Sequence, residues 1–140
     1  MKISIGSDHR GVELKSKIIS NFLNIEWVDV GAYDLTKTDY PIYAKKVAQN
    51  ILDNNSELGI LICGSGVGMS IAANRYKHIY AALCWNPEVA AAARCDDMAN
   101  ILALPADYIS LDLAFEIVNA WLKAEFKGGR YQTRLDMTNL

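Results

Sequence analysis

Residues 58–68 combine a reactive side chain with a glycine-rich loop. An apolar run ends at Cys63, and small residues then alternate in the order Gly64, Ser65, Gly66, Val67 and Gly68. Glycine lets the backbone turn tightly and approach a ligand closely. A helix that begins at Val67 or Gly68 would present free N–H groups and its positive dipole end to an anion over the loop. The same surroundings stabilise a thiolate, which is the reactive form of cysteine. The segment therefore predicts a base or nucleophile, Cys63, beside a cradle for negative charge.

Composition narrows the class of protein. The chain has 140 residues, of which 51% are hydrophobic and 21% charged, and its net charge is −2. These values predict one domain with its own core, and the lack of a dominant basic patch argues against a nucleic-acid partner. Glycines and serines interrupt the uncharged stretch 58–74, so we expect no membrane span. Cys63, Cys84 and Cys95 are not spaced as a metal site or a disulfide framework, which predicts free thiols in a reducing cytoplasm.

Strand and helix patterns alternate along the whole chain. Strands are predicted at residues 2–6, 25–30, 58–63, 79–84 and 100–104, and Ser110 is predicted to cap a last helix that runs to about Lys123. This alternation predicts a single-domain, three-layer α/β fold with a five-stranded parallel sheet and helices on both faces. Ligands bind such sheets beyond the carboxyl ends of the strands, where the strand order reverses. We expect the order 2-1-3-4-5, because it makes residues 7–10 and 63–68 neighbours.

The C-terminal tail carries a pair of arginines. Arg130 and Arg134 are four residues apart, which places both guanidinium groups on one face of a helix. Paired arginines hold phosphate well. A solvated basic tail is the alternative, and spacing alone favours it, because charged faces are usually exposed to solvent.

Six motifs, taken in order, carry a resemblance to a known family. They are GSDHRG (residues 6–11), TDYP (38–41), GILICGSGVG (59–68), AAN (72–74), ALCWN (82–86) and GGR (128–130). Together the motifs run from the first strand to the tail. They resemble the type B ribose-5-phosphate isomerases and their relatives among the ribose and galactose sugar-phosphate isomerases.

The resemblance implies an aldose–ketose isomerase that interconverts ribose 5-phosphate and ribulose 5-phosphate through a cis-enediolate, without a metal or a cofactor. Cys63 matches the base that moves the proton between the first two sugar carbons. The loop of Gly64, Gly66 and Gly68, with the hydroxyl of Ser65, matches the residues that hold the developing oxyanion.

The other implied site residues bind the substrate. Asp8 matches a residue that contacts sugar hydroxyls, and Tyr40 matches one that lines the site. His9, Arg130 and Arg134 match phosphate ligands. The resemblance also implies a homodimer, or a tetramer built from dimers, with sites at the subunit interface and residues 127–140 packed there.

The chain departs from the family pattern at several positions. Asp96 and Asp97 stand where relatives have a ring-opening histidine and an asparagine, so Asp96 is the expected ring-opening base and Asp97 a substrate contact. A solvated helix end is the alternative for both residues. Asp107 replaces an arginine that binds phosphate, and Arg10 and Arg94 are candidates to compensate. Met69 stands where some relatives carry a glutamate base, which leaves Cys63 as the base.

Two alternatives stay open from the sequence. One is an isomerase of a six-carbon sugar phosphate, such as allose 6-phosphate or galactose 6-phosphate. The other is a weakly catalytic sugar-phosphate binding protein, which the carboxylates at Asp96 and Asp107 favour and which Cys63 with its intact glycine loop disfavours.

Overall fold

Strands and helices alternate in the computed structural model, which describes residues 1–139. The strands are β1 (Lys2–Ser7), β2 (Glu26–Asp29), β3 (Leu58–Cys63), β4 (Ala81–Leu83) and β5 (Ile101–Pro105). The α-helices are α1 (Val12–Asn21), α2 (Tyr40–Leu52), α3 (Val67–Asn74), α4 (Pro87–Asp97), α5 (Leu111–Lys123) and α6 (Arg130–Thr138). A short 3-10 turn, His9–Gly11, precedes α1. The α/β class predicted from the hydrophobic periodicity is confirmed.

Side-chain caps fix where several helices begin. The Asn86 side chain accepts a hydrogen bond from the backbone N–H of Val89 at 2.8 Å, at the start of α4. Ser110 accepts one from Leu113 at 3.1 Å and begins α5, which confirms the predicted cap. Each cap satisfies a backbone donor that the helix itself leaves without a partner.

All strand pairs in the sheet are parallel, and the order is β2-β1-β3-β5-β4. The expected order 2-1-3-4-5 was wrong in its last two places, although the adjacency of β1 and β3 is confirmed. Every residue of β5 is buried, whereas β4 has three half-buried residues. The more apolar strand therefore takes the interior position, and the short strand takes the exposed edge.

Helices cover both faces of the sheet. Apolar side chains of β1, β3 and β5 pack with α1, α4 and α5 on one face. On the other face α2 and α3 pack against Leu61, Cys63, Ile101 and Ala103. Within residues 1–139, no helix is long and apolar enough to cross a membrane.

Candidate active site

A cavity of about 200 Å³ lies at the carboxyl edge of the sheet, where β1 and β3 end side by side. Nine residues line it: Asp8, Arg10, Tyr40, Cys63, Gly64, Ser65, Gly68, Asp107 and Tyr108. Six of the residues predicted from the sequence are thus brought together at the point where the strand order reverses. They come from the ends of two strands, the glycine loop and the start of α2.

Cys63 is the last residue of β3 and its side chain reaches the cavity from the buried interior. The residue is 5% exposed. Its carbonyl accepts a hydrogen bond from the N–H of Ala106 at 2.9 Å, and the neighbouring carbonyl of Ile62 accepts one from Asp8 at 3.2 Å. These backbone bonds on both sides fix the position of the thiol.

The glycine loop has the shape that its sequence predicts. Gly66 has a φ of 73°, and a Cβ atom there would lie 2.5 Å from Cδ1 of Leu83. A Cβ at Gly68 would lie 2.7 Å from the ring of Tyr40. The loop therefore needs glycine at Gly66 for its conformation and at Gly68 for the close approach of Tyr40.

Helix α3 begins inside this loop and supplies backbone donors. The Ser65 hydroxyl accepts a hydrogen bond from the N–H of Val67 at 3.2 Å. The N–H groups in the first turn of a helix have no partner within the helix, and Gly68 in that turn lines the cavity. The site can therefore stabilise negative charge on a ligand next to Cys63.

The end of β1 supplies a buried carboxylate and a turn. Asp8 is 7% exposed and accepts a hydrogen bond from the N–H of Arg10 at 2.9 Å, so it caps the 3-10 turn and also lines the cavity. His9 does not line the cavity. Its Nδ1 accepts a hydrogen bond from Thr38 at 3.2 Å and ties the turn to the segment before α2.

Two lining residues follow from the true strand order. Because β5 lies beside β3, the register places Pro105 opposite Cys63, and the N–H of Asp107 bonds to the carbonyl of Gly64 at 2.9 Å. Asp107 and Tyr108 thereby enter the cavity. The expected order placed β4 beside β3 and so did not predict the contact of Asp107 with Gly64, although the resemblance to the family had set Asp107 at a phosphate-binding position.

The structure places four predicted site residues away from this cavity in the same chain. Asp96, Asp97, Arg130 and Arg134 are not among its lining residues. Since α4 returns antiparallel to the strands, its last residues lie at the amino edge of the sheet, near Ile101. The register pairs Gly59 with Ile101 and Cys63 with Pro105, so the two edges are about 13 Å apart along the strands.

Three of these distant side chains and two of their neighbours form a second group, here called the tail cluster: Asp96, Lys127, Arg130, Tyr131 and Arg134. Lys127 bonds Asp96 at 2.8 Å, and Arg130 donates to the hydroxyl of Tyr131 at 3.3 Å. The three cations stand 5.0 to 5.4 Å from the centre of the Tyr131 ring. The hydrogen bond from Arg130 and its charge lower the pKa of Tyr131, and the bond to Asp96 raises the pKa of Lys127.

The arginines of the tail cluster carry free charge. No ion pair within residues 1–139 involves Arg130 or Arg134. Both lie on α6, as the four-residue spacing predicts, and both face Tyr131. They are available to an external anion.

A larger cavity, of about 510 Å³, lies at the other edge of the sheet. Asp97 lines it together with the segment between α3 and β4. It contains neither Cys63 nor the glycine loop, so its size does not make it the site of chemistry. Across the described residues, no three His, Cys, Asp or Glu side chains are grouped so as to hold a metal ion.

The cavity at Cys63 suits proton abstraction beside a carbonyl group. Such a reaction needs a base close to the carbon and donors arranged around the oxygen that becomes negative. Cys63 provides the first and the loop at the start of α3 provides the second. The buried carboxylate of Asp8 offers acceptors for hydroxyl groups of a ligand.

Comparisons with known proteins agree with this geometry. The chain is 42% identical over 137 residues to ribose-5-phosphate isomerase B of Escherichia coli, covering 96% of this chain and 92% of that protein. The crystal structure of a ribose 5-phosphate isomerase from Thermotoga maritima superposes with a TM-score of 0.97 at 50% identity, covering 99% and 97% of the two chains. A Mycoplasma genitalium ribose-5-phosphate isomerase B with bound ribulose-5-phosphate gives 0.92 at 44% identity, covering 98% and 93%. The sequence model of the ribose/galactose isomerase family matches residues 3–138, and the chain belongs to that family.

Proposed function

We propose that this protein interconverts ribose 5-phosphate and ribulose 5-phosphate through a cis-enediolate, with Cys63 as the base. The observation that carries the proposal is the position of Cys63 at the end of a buried strand, in one cavity with the glycine loop. Similar proteins from Escherichia coli and Mycoplasma genitalium bear the name of this activity, and the latter was solved with ribulose-5-phosphate.

The mechanism follows from these groups. The Cys63 thiolate removes the proton from the second carbon of the open-chain aldose, and the electron pair moves to form the enediolate. The loop donors stabilise the negative oxygen, and loss of one such donor typically costs about 2.7–4 kcal/mol of barrier. The resulting thiol then returns the proton to the first carbon, while the hydroxyl proton on the second carbon passes to the oxygen on the first carbon. This gives the ketose and restores the thiolate. Met69, which is fully buried, offers no second base.

We infer that a second copy of the chain completes the site. The phosphate ligands Arg130 and Arg134 and the ring-opening candidate Asp96 lie outside the cavity of their own chain, so they would serve the cavity of a partner. Helix α3 carries no charged residue, and Val67 and Ile71 on it are 48% and 59% exposed. Trp85, after β4, is 56% exposed. Apolar surface of this kind, on the helix that begins at the site, suits a homodimer contact.

The proposal extends to the cellular setting. Cys63, Cys84 and Cys95 are free thiols, which suits a reducing cytoplasm. Burial raises the pKa of the Cys84 thiol to about 12, which disfavours its reactive thiolate form. Neither Cys84 nor Cys95 lines the cavity that Cys63 reaches.

Turnover of the purified protein tests the proposed activity. Rates are compared on ribose 5-phosphate, allose 6-phosphate and galactose 6-phosphate. We expect the five-carbon substrate to give the highest kcat/KM. Faster reaction of a six-carbon substrate would assign the alternative isomerase, and binding without turnover would assign a binding protein.

Subunit complementation tests the shared site. Cys63→Ser lacks the base, and the double variant Arg130→Ala/Arg134→Ala lacks the tail cations. In a shared-site dimer, co-expression of the two chains under different tags should restore about a quarter of the sites, because half of the dimers are mixed and each has one intact site. No recovery in the isolated mixed dimer would show that each chain uses its own tail.

A further inference from the structure

The cavity at Cys63 holds an unusual balance of charge. Its lining contains two carboxylates, Asp8 and Asp107, and a single cation, Arg10. A phosphorylated sugar brings about two negative charges into this space at neutral pH. Arg10 is therefore the one cationic side chain in this lining that can attract the phosphate group of the substrate.

Arg10 and Asp107 form an ion pair over the glycine loop. Nη1 of Arg10 lies 3.1 Å from Oδ2 of Asp107. Both groups lie over Gly64, where an added Cβ would be 2.8 Å from Nη1 of Arg10 and 2.7 Å from Oδ2 of Asp107. The ion pair therefore lies over the glycine loop, in the wall of the cavity.

This ion pair is easily exchanged for another. The side chains of Arg10 and Asp107 are 60% and 40% exposed, so water screens their attraction. A phosphate group offers an arginine two parallel hydrogen bonds and twice the charge of a carboxylate. The backbone of Arg10 stays fixed during such an exchange, because its N–H is bonded to the buried Asp8.

Resting on the proposed function, we propose that Arg10 is a specificity-determining residue that binds the phosphate dianion of the substrate, and that Asp107 is its internal competitor. The substrate opens the Arg10–Asp107 pair and takes the guanidinium. Asp107 thereby weakens the affinity for every phosphorylated ligand. A neutral sugar cannot displace the carboxylate, so the pair also discriminates against unphosphorylated ribose.

Two readouts test the roles of these residues. The first is KM and kcat for ribose 5-phosphate. The second is the protection of Cys63 from iodoacetamide by inorganic phosphate, followed by peptide mass spectrometry, and it does not require turnover. The variants are Arg10→Ala, Arg10→Lys and Asp107→Asn, with Lys17→Ala as the matched control, because Lys17 is an exposed cation on α1 that does not line the cavity.

Arg10→Ala should raise KM about tenfold and weaken protection by phosphate to a similar extent, since a hydrogen bond to a charged group is lost. The value of kcat should change much less, because the phosphate is remote from the reacting carbons. Arg10→Lys should have an intermediate effect on both readouts, because lysine keeps the positive charge but cannot donate two parallel hydrogen bonds to the phosphate. Asp107→Asn should lower KM and strengthen protection, and most of this gain should disappear in the Arg10→Ala background. Lys17→Ala should change neither readout.

The outcomes separate this inference from the proposed function. Normal turnover with an unchanged KM and unchanged phosphate protection in Arg10→Ala would overturn the inference and leave the isomerase assignment intact. If Asp107→Asn lowered KM equally in the parent and in the Arg10→Ala background, Asp107 would act only by repelling the phosphate. That result would overturn its proposed role as a competitor for Arg10. Absence of turnover in the parent protein would refute the proposed function, and the protection assay would still decide for or against Arg10.

Discussion

The cavity at Cys63 and the tail cluster differ in how the fold holds them. In the cavity, Cys63 and Asp8 are 5% and 7% exposed, and both belong to the ends of buried strands. In the tail cluster, the paired side chains of Lys127 and Asp96 are 52% and 36% exposed. The cavity groups thus lie buried at the ends of strands, whereas the charged side chains of the tail cluster lie at the surface.

This difference matches the roles that we propose for the two groups of residues. A base must hold its position to a fraction of an ångström, since small displacements lower the rate strongly. A cation that binds a remote phosphate tolerates a looser placement. Helix α6 has nine residues, of which only Leu135 is buried, and a helix of this length is marginal without tertiary contacts. A second copy packed against it would supply such contacts.

The largest expected effect comes from substitution of the buried Cys63 in the cavity. Cys63→Ser should reduce kcat by about 10³-fold or more, since general bases contribute roughly 10² to 10⁴ and serine is a far weaker acid. Binding of ribose 5-phosphate should be retained, because serine has nearly the same shape. Steady-state kinetics and calorimetry measure the two effects. Cys95→Ser is the control, as Cys95 lies on α4 outside the cavity. Near-parental turnover of Cys63→Ser would exclude Cys63 as the base.

Glycine substitutions in the glycine loop and in the tail compare how much each region contributes to the free energy of unfolding. Gly66 and Gly128 both have positive φ angles, of 73° and 68°, but only Gly66 has close neighbours. Gly128→Ala should cost about 1–2 kcal/mol for the left-handed backbone alone. Gly66→Ala should cost about 1–3 kcal/mol more, because its Cβ meets Leu83 and the backbone at Leu104. Chemical denaturation measures both. Equal losses would show that the loop is not tightly packed.

The tail arginines should affect binding more than chemistry. Arg134→Ala should raise KM about tenfold with a smaller loss of kcat, because it removes a charge-assisted contact to a group remote from the reacting carbons. Gln132→Ala is the matched control on the same helix, as Gln132 is exposed and contacts only Asp136. A fall in kcat at unchanged KM would place Arg134 in the chemical step.

Sequence reasoning located the cavity because its signals are local. A buried apolar run predicts β3, and the glycines after Cys63 predict the turn into α3. Ligands bind parallel sheets where the strand order reverses, and this property led us to place β1 beside β3. That adjacency brings Asp8 next to Cys63. These inferences depend on residues close together in the chain and on one general property of parallel sheets.

The remaining features depend on long-range choices that local patterns do not encode. Whether β4 or β5 lies beside β3 is decided by the relative burial of two apolar strands, and this choice places Asp107 at Gly64. The position of Asp96, by contrast, could have been predicted from the order of strands and helices. Asp96 lies at the end of α4, a few residues before β5, and therefore at the amino edge of the sheet, away from Cys63 of its own chain. The proposed role of Asp96 accordingly requires the cavity of another chain.

The smallest expected effect concerns the titration of Tyr131 in the exposed region. The hydrogen bond from Arg130, together with the charges of Arg130 and Lys127, lowers the pKa of Tyr131, because cations favour the phenolate. Tyr131 should therefore ionise at a lower pH than a free tyrosine side chain does. The difference in ultraviolet absorbance between the parent and Tyr131→Phe isolates its titration from that of the other tyrosines.

Arg130→Ala should move this titration upward, and added salt should do so partially, because the cluster is open to solvent and its charges are screened. If a partner chain encloses the tail cluster in the dimer, salt should have little effect at high protein concentration and a larger one after dilution to monomers. A salt response independent of protein concentration, with the dimer verified by ultracentrifugation, would show that the tail cluster stays exposed and would count against its placement in a partner's cavity.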